Sequence, residues 1–147
     1  MQRTPIAVLG ASGYSGIEAT RLLAQHPRAE LKVVASDRWQ GETVERRAGV
    51  RGPAGRLRYA SPERALELAR ECAAALLCTP VDASLQLAPA LLAAGLKVVD
   101  LSGAFRLADA AASGPRTAWS TRTRPSCANP STECPSWARG KRSPGRG

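Results

Sequence analysis

Short apolar runs alternate with longer amphipathic stretches through most of the chain. Each run is bounded by glycine, proline or polar residues, which is typical of a buried strand. The runs that predict strands are Ile6–Leu9, Leu31–Ala35, Ala73–Cys78 and Leu96–Leu101. No internal repeat is visible in the sequence.

The stretches between these runs predict helices. Apolar residues from Ile17 to Leu23 lie at helical spacing, and this pattern ends near His26 and Pro27. Ser61 and Pro62 are a good helix start, since serine caps and proline fits the first helical position. That helix is expected to run to about Cys72, and a further helix to run from Val81 to Ala94 before Gly95.

Strands that alternate with helices predict an α/β fold with a mostly parallel sheet and right-handed crossovers. Residues 39–58 are rich in glycine and arginine, and we expect a loop there with a short strand near Leu57–Tyr59. The 147 residues are 44% hydrophobic, enough for one packed domain.

The charge is distributed unevenly along the chain. The net charge of +9 divides into +3 for residues 1–112 and +6 for residues 113–147. The latter segment contains no Leu, Ile, Val, Met or Phe, so it cannot bury a core of its own. We therefore expect a folded domain over residues 1–111 and a disordered, basic, low-complexity tail over residues 112–147.

Targeting and metal-binding signals are weak. No stretch approaches the roughly 20 apolar residues of a membrane span, and the first apolar run is too short for a signal peptide, so we expect a cytoplasmic protein with no membrane partner. The cysteines Cys72, Cys78, Cys127 and Cys134 include no C-x-x-C pair and have no nearby histidine. We expect neither a metal site nor disulfides, and we interpret Cys72 and Cys78 as buried thiols.

A glycine loop, Gly10-x-x-Gly13-x-x-Gly16, joins the first strand to the first helix. Gly10 would permit a tight turn, Gly13 would let the backbone approach a pyrophosphate, and Gly16 would allow close packing. The helix N-terminus offers unpaired N–H groups to phosphates, and serine hydroxyls can add donors. This pattern predicts a Rossmann-type, doubly wound dinucleotide-binding sheet, although a purely structural glycine turn is the alternative.

The end of the second strand bears on the choice of cofactor. Ser36 and Arg38 offer a hydroxyl and a guanidinium that suit a 2′-phosphate, so we favour NADP, while Asp37 leaves NAD open. Arg38 could instead be a solvated surface charge. The residues assigned to the cofactor are Gly10, Ser12, Gly13, Tyr14, Ser15, Gly16, Ser36, Arg38, Thr79 and Pro80.

Two segments carry a family resemblance. Residues 6–18, Ile-Ala-Val-Leu-Gly-Ala-Ser-Gly-Tyr-Ser-Gly-Ile-Glu, resemble the opening of the N-acetyl-gamma-glutamyl-phosphate reductases, which are semialdehyde dehydrogenases. Residues 99–107, Val-Asp-Leu-Ser-Gly-Ala-Phe-Arg-Leu, are similar to that family's Asp-Leu-Ser-Ala-Asp-Phe-Arg-Leu signature, with Gly103 and Ala104 in place of Ala-Asp. The resemblance covers residues 5–109.

The resemblance implies NADPH-dependent reduction of an acyl phosphate to a semialdehyde in arginine biosynthesis, by a homo-oligomeric enzyme. The family's nucleophile is the cysteine of an Asn-Pro-Gly-Cys motif, which attacks the acyl phosphate, and a histidine further along serves as acid and base. This chain holds neither, because Cys127-Ala-Asn129-Pro130 has the wrong order and the one histidine is His26. No catalytic residue is therefore assigned; Arg106 is a candidate substrate contact or a structural cation.

The tail suggests a shifted reading frame. From Ala112 onward, the permitted codons allow another frame to encode an apolar-patterned string that includes a Val-Tyr-Gly-x-Pro-Glu segment, as in these reductases. We expect a frameshift near Ala112, in the gene or in its sequencing, and an inactive product. A genuine basic tail is the alternative.

Three other functions stay open. The first is a related reductase of lysine biosynthesis that acts on a carrier-bound aminoadipyl phosphate. The arginines that could favour an acidic carrier, or could simply belong to a solvated loop, are Arg46, Arg47, Arg51, Arg56 and Arg58. The second is a non-catalytic nucleotide-binding fragment. The third is a module whose basic tail attracts nucleic acid without sequence specificity.

Overall fold

The structure, a computed structural model, describes residues 3–105. The predictions for Arg106, for Cys127 and Cys134 and for the tail over residues 112–147 concern positions outside the described residues. Within residues 3–105, no helix is both long enough and apolar enough to span a bilayer.

Four parallel strands form one sheet, in the order β2-β1-β3-β4. Their bounds are β1 Thr4–Leu9, β2 Ala29–Ala35, β3 Ala74–Leu77 and β4 Lys97–Asp100. The first strand is central: Ile6 pairs with Leu31 on one side and with Ala74 on the other. All four strands predicted from the apolar runs are present, each with bounds shifted by one or two residues.

Helices connect the strands and cover both faces of the sheet. They are α1 Tyr14–Gln25, α2 Val44–Ala48, α3 Pro62–Ala69 and α4 Val81–Ala93, with a 3-10 turn at Ala54–Arg56. Alternate residues of β1 point to opposite faces. Ala7 and Leu9 pack with residues of α3 and α4, whereas Val8 packs with residues of α1 and α2. This arrangement confirms the predicted Rossmann-like, doubly wound α/β fold.

The expectation of a loop over residues 39–58 is wrong in part, since α2 and the 3-10 turn lie there. Thr43 caps α2 by accepting the N–H of Arg46, and Gly49 closes the helix with a φ of 69°. A helix of five residues is too short to show helical periodicity in the sequence, since it contributes only two buried residues, Val44 and Ala48. The short strand expected near Leu57–Tyr59 is also absent, and only isolated bridges such as Thr43 to Arg58 occur there.

Ser61 caps α3 as predicted, with its Oγ accepting the Arg64 N–H at 3.4 Å and Pro62 in the first turn. The helix ends at Ala69, earlier than the expected Cys72. At the other end of the sheet, α4 terminates before Gly95, whose φ of 85° favours glycine. Cys72 is buried, as expected, and Cys78 is half-buried; within residues 3–105 the two thiols form no disulfide.

Candidate functional site

An open cleft of about 720 Å³ lies where the first three strands reach their carboxyl ends. The strand order reverses direction there, since β2 lies on one side of β1 and β3 on the other. Ligands of open α/β sheets bind in such a crevice. The cleft is lined by Leu9, Gly10, Ser12, Gly13, Ala35, Ser36, Asp37, Arg38, Pro62, Cys78, Thr79, Pro80, Ala83, Gln86 and Leu87.

Gly10 and Gly16 are required for steric reasons in the turn that borders the cleft. Gly10 has a φ of 80°, and a Cβ there would lie 2.6 Å from the carbonyl oxygen of Cys78. A Cβ on Gly16 would lie 2.4 Å from the carbonyl oxygen of Gly10. The first glycine therefore permits the turn and the close approach of β3, and the last one lets α1 pack onto the turn itself.

Gly13 differs from these two glycines. A Cβ on Gly13 would meet only the carbonyl oxygens of Gly10 and Cys78, at 3.7 and 3.8 Å, which is ordinary contact. The protein fold therefore leaves room for a side chain at Gly13. The backbone at Gly13, which lines the cleft, is thus open to a ligand.

The N-terminus of α1 opens into the cleft at Gly13. Among the described residues no side chain caps this helix, and no acidic residue lies in its first turn. Its free N–H groups and the positive end of its dipole therefore favour an anion. Helix N-termini of this kind are common phosphate sites.

The end of β2 brings a cation to the cleft. Ser36 is buried, and its Oγ accepts the N–H of Trp39 at 3.2 Å. Asp37 and Arg38 are exposed, and neither forms an ion pair or hydrogen bond within residues 3–105. Arg38 is thus available to an anionic ligand, while the Ser36 oxygen already shapes the turn that presents it.

The turn from β3 to α4 forms the opposite lip. The hydroxyls of Thr79 and Ser84 lie 2.8 Å apart, with Ser84 fully buried. Burial raises the pKa of the Cys78 thiol, and a hydrogen bond from Ser15 opposes that shift only in part. A thiol whose pKa is raised holds little thiolate at neutral pH, which argues against Cys78 as a nucleophile.

The structure brings together most of the residues that the sequence assigned to a cofactor. Those that line the cleft are Gly10, Ser12, Gly13, Ser36, Arg38, Thr79 and Pro80. Tyr14, Ser15 and Gly16 are not among the lining residues; Tyr14 is 95% exposed, and Gly16 is buried beneath the turn.

The sequence reasoning missed one wall of the cleft. Ala83, Gln86 and Leu87 of α4 line it together with Pro62 at the start of α3. Their spacing of three and four residues on the helix after β3 was the available signal.

Other candidates receive no support as sites. His26 is exposed at the end of α1, and its Nδ1 accepts the N–H of Arg28. In residues 3–105, no three His, Cys, Asp or Glu side chains group as metal ligands. Arg46 and Arg47 form ion pairs with Glu42, and Arg58 donates a hydrogen bond to the carbonyl of Gly41.

The parallel sheet and the glycine loop at its cleft define an α/β domain of the dinucleotide-binding class. The family model for the NAD-binding domain of semialdehyde dehydrogenase matches residues 5–123. The chain belongs to this family.

Comparison with known proteins agrees with this assignment. The N-acetyl-gamma-glutamyl-phosphate reductases of Herminiimonas arsenicoxydans and Pseudomonas putida (strain W619) are 39% and 42% identical over 108 residues. These alignments cover 73% and 72% of this chain, which spans about 30% of the length of either relative.

Solved structures show the same fold. Aspartate semialdehyde dehydrogenase II from Vibrio cholerae superposes with a TM-score of 0.58 at 25% identity, covering 73% of this chain and 30% of that one. Aspartate semialdehyde dehydrogenase with NADP from Candida albicans gives a TM-score of 0.59 at 24% identity, covering 71% of this chain and 31% of that one.

Proposed function

We propose that this chain is the NADP-binding part of an N-acetyl-gamma-glutamyl-phosphate reductase. The observation that carries the proposal is the cleft itself, which holds the N-terminus of α1 and Arg38, neither of which has a side-chain partner within residues 3–105. The reductases of similar sequence support the choice of substrate class. The whole enzyme would reduce N-acetyl-glutamyl 5-phosphate to its semialdehyde.

In this proposal each part of the cleft holds one part of the dinucleotide. The α1 N-terminus and the open backbone at Gly13 take the pyrophosphate. Arg38 takes the 2′-phosphate by a charge-assisted contact, with the Ser36 hydroxyl beside it. When bound, NADPH supplies the hydride of the reduction; the chain's own residues bind and orient it.

The chain itself is proposed to lack reductase activity. It holds no Asn-Pro-Gly-Cys sequence, since Asn129-Pro130 is followed by Ser131, and its single histidine is His26. Cys78 lies in the cleft with a raised pKa and does not replace the missing nucleophile. Arg106 stays a proposed substrate contact of the complete enzyme.

A binding experiment with two variants tests this function. Titration of the full chain with NADPH and NADH, followed by nicotinamide fluorescence, should show tighter binding of NADPH. Arg38→Gln should weaken NADPH binding about tenfold or more and leave NADH binding nearly unchanged, because a hydrogen bond to a charged group contributes about 1.5–3 kcal/mol. Gly13→Ala should weaken both, since its methyl group fits the fold but occupies the place of the pyrophosphate.

The matched control is Arg28→Gln. Arg28 is exposed just before β2, at the opposite end of the sheet, where its carbonyl accepts the Thr4 N–H. This variant should bind both cofactors like the original chain. Equal affinity of the original chain for NADH and NADPH would overturn the choice of NADP, and binding of neither would overturn the proposed function.

A further inference from the structure

The wall of the cleft formed by α3 and α4 has no role in the function described so far. Ala83, Gln86 and Leu87 share one face of α4, and Pro62 lies at the first turn of α3. Three of these four side chains are apolar, and Gln86 adds a single amide. An apolar slot with one convergent polar group suits a flat aromatic heterocycle.

This wall adjoins the end of β2. Ala35 and Ala60 form a parallel bridge, and the N–H of Ser36 donates to the carbonyl of Ala60 at 3.1 Å. The start of α3 is thereby held close to the strand end that presents Arg38. A base attached to a ribose whose 2′-phosphate contacts Arg38 would therefore reach the slot between Pro62 and α4.

Gln86 is chemically suited to recognise that base by hydrogen bonds. It is exposed to the cleft and forms no hydrogen bond within the described part of the chain. An amide side chain accepts a hydrogen bond through its oxygen and donates through its nitrogen. Adenine presents the matching pair, an N6 donor beside the N7 acceptor, and glutamine contacts it in a bidentate manner.

We propose that Gln86 selects the adenine ring of the dinucleotide by a paired hydrogen bond to N6 and N7. The inference rests on the proposed dinucleotide site and adds a specificity residue to it. It predicts discrimination between NADPH and its hypoxanthine counterpart, in which a carbonyl replaces the 6-amino group. The hypoxanthine ring presents two acceptors on this edge, so one of the two hydrogen bonds is lost.

The test compares the affinities of the full chain for NADPH and for this hypoxanthine analogue by fluorescence titration. The original chain should bind NADPH about fivefold to tenfold more tightly, as expected for one lost hydrogen bond. Gln86→Leu should bind the two ligands equally. The control Gln25→Leu changes an exposed glutamine at the last position of α1, outside the cleft, and should keep the preference.

The outcomes separate this inference from the proposed function. If the original chain binds both ligands equally, or if Gln86→Leu keeps the preference for NADPH, the role of Gln86 is refuted while the dinucleotide site stands. If the original chain binds neither ligand, both the site and the role of Gln86 are refuted. Circular dichroism of the variants checks that their fold is unchanged.

Discussion

Tyr59 places a hydroxyl in the interior of the domain. The residue is 1% exposed, its ring meets that of Trp39 edge-on at 5.4 Å, and its hydroxyl has no hydrogen-bond partner within residues 3–105. When a buried hydroxyl has no hydrogen-bond partner, nothing compensates the free energy lost by removing it from water. Burial also raises the pKa of Tyr59, which two nearby arginines lower only in part.

Tyr59→Phe should raise the free energy of unfolding by about 1 kcal/mol, because the ring packing stays and the unpaired hydroxyl is removed. The effect of pH follows from the pKa. A tyrosine in the unfolded chain ionises near its ordinary pKa of 10.0, while the raised pKa of folded Tyr59 moves its ionisation to higher pH. The contribution of Tyr59 to the free energy of unfolding should therefore not vary with pH below pH 10 and should fall above it. In Tyr59→Phe this part of the fall at high pH should be absent.

Urea unfolding from pH 7 to pH 11 measures both effects. Tyr14→Phe is the matched control, because Tyr14 is 95% exposed and its replacement should leave stability nearly unchanged. A loss of stability in Tyr59→Phe at pH 7 would show that the hydroxyl is satisfied in solution.

At the scale of elements, the sequence predicts the strands and helices whose buried residues form a recognisable apolar pattern. The four strands follow from runs such as Ala74–Leu77, whose burial on both faces of the sheet demands continuous apolar residues. The helix α2 could not be predicted, because its position depends on burial of Val44 and Ala48 against residues distant in sequence. The glycine loop predicted one side of the cleft, whereas the helical spacing of Ala83, Gln86 and Leu87 places them on one face of α4 without showing that this face lines a site.

The turn from β3 into α4 depends on one pair of hydroxyls. Thr79→Val and Ser84→Ala should each lower the free energy of unfolding by about 1 kcal/mol, since each removes the hydrogen bond between the two hydroxyls. In Thr79→Val the Ser84 hydroxyl keeps only its longer hydrogen bond, of 3.5 Å, to the backbone carbonyl of residue 79. The double variant should lose clearly less than the sum of the two, because the interaction can be lost only once. Additive losses in a urea-unfolding cycle would show that the two hydroxyls do not interact.

At the scale of the whole molecule, the described sheet ends at β4 with apolar residues exposed. Val99, Leu101 and Phe105 are 48%, 42% and 40% exposed. Exposed apolar residues beside an edge strand are typical of a surface that further structure covers. We propose that a frameshift near Ala112 replaced the family's continuing sequence with the basic residues 113–147.

Resequencing the gene from the codon of Leu101 to well beyond that of Gly147 tests this proposal. A single insertion or deletion near Ala112 should restore an apolar-patterned sequence that leads to an Asn-Pro-Gly-Cys motif. The control is the stretch that encodes residues 3–105, where resequencing should give the same codons and the same reading frame. A confirmed frame throughout would refute the frameshift and make the basic tail a genuine part of the protein.

The central place of β1 also has a consequence for the order in which the protein can assemble during its synthesis. Ile6 pairs with Leu31 and with Ala74, so one neighbour is made soon after β1 and the other much later. A nascent chain that ends before Ala74 can build only the half of the sheet that carries Arg38. The cleft gains its second lip only after β3 and the turn that follows it have left the ribosome, and until then the Cys78 carbonyl is not in place beside Gly10.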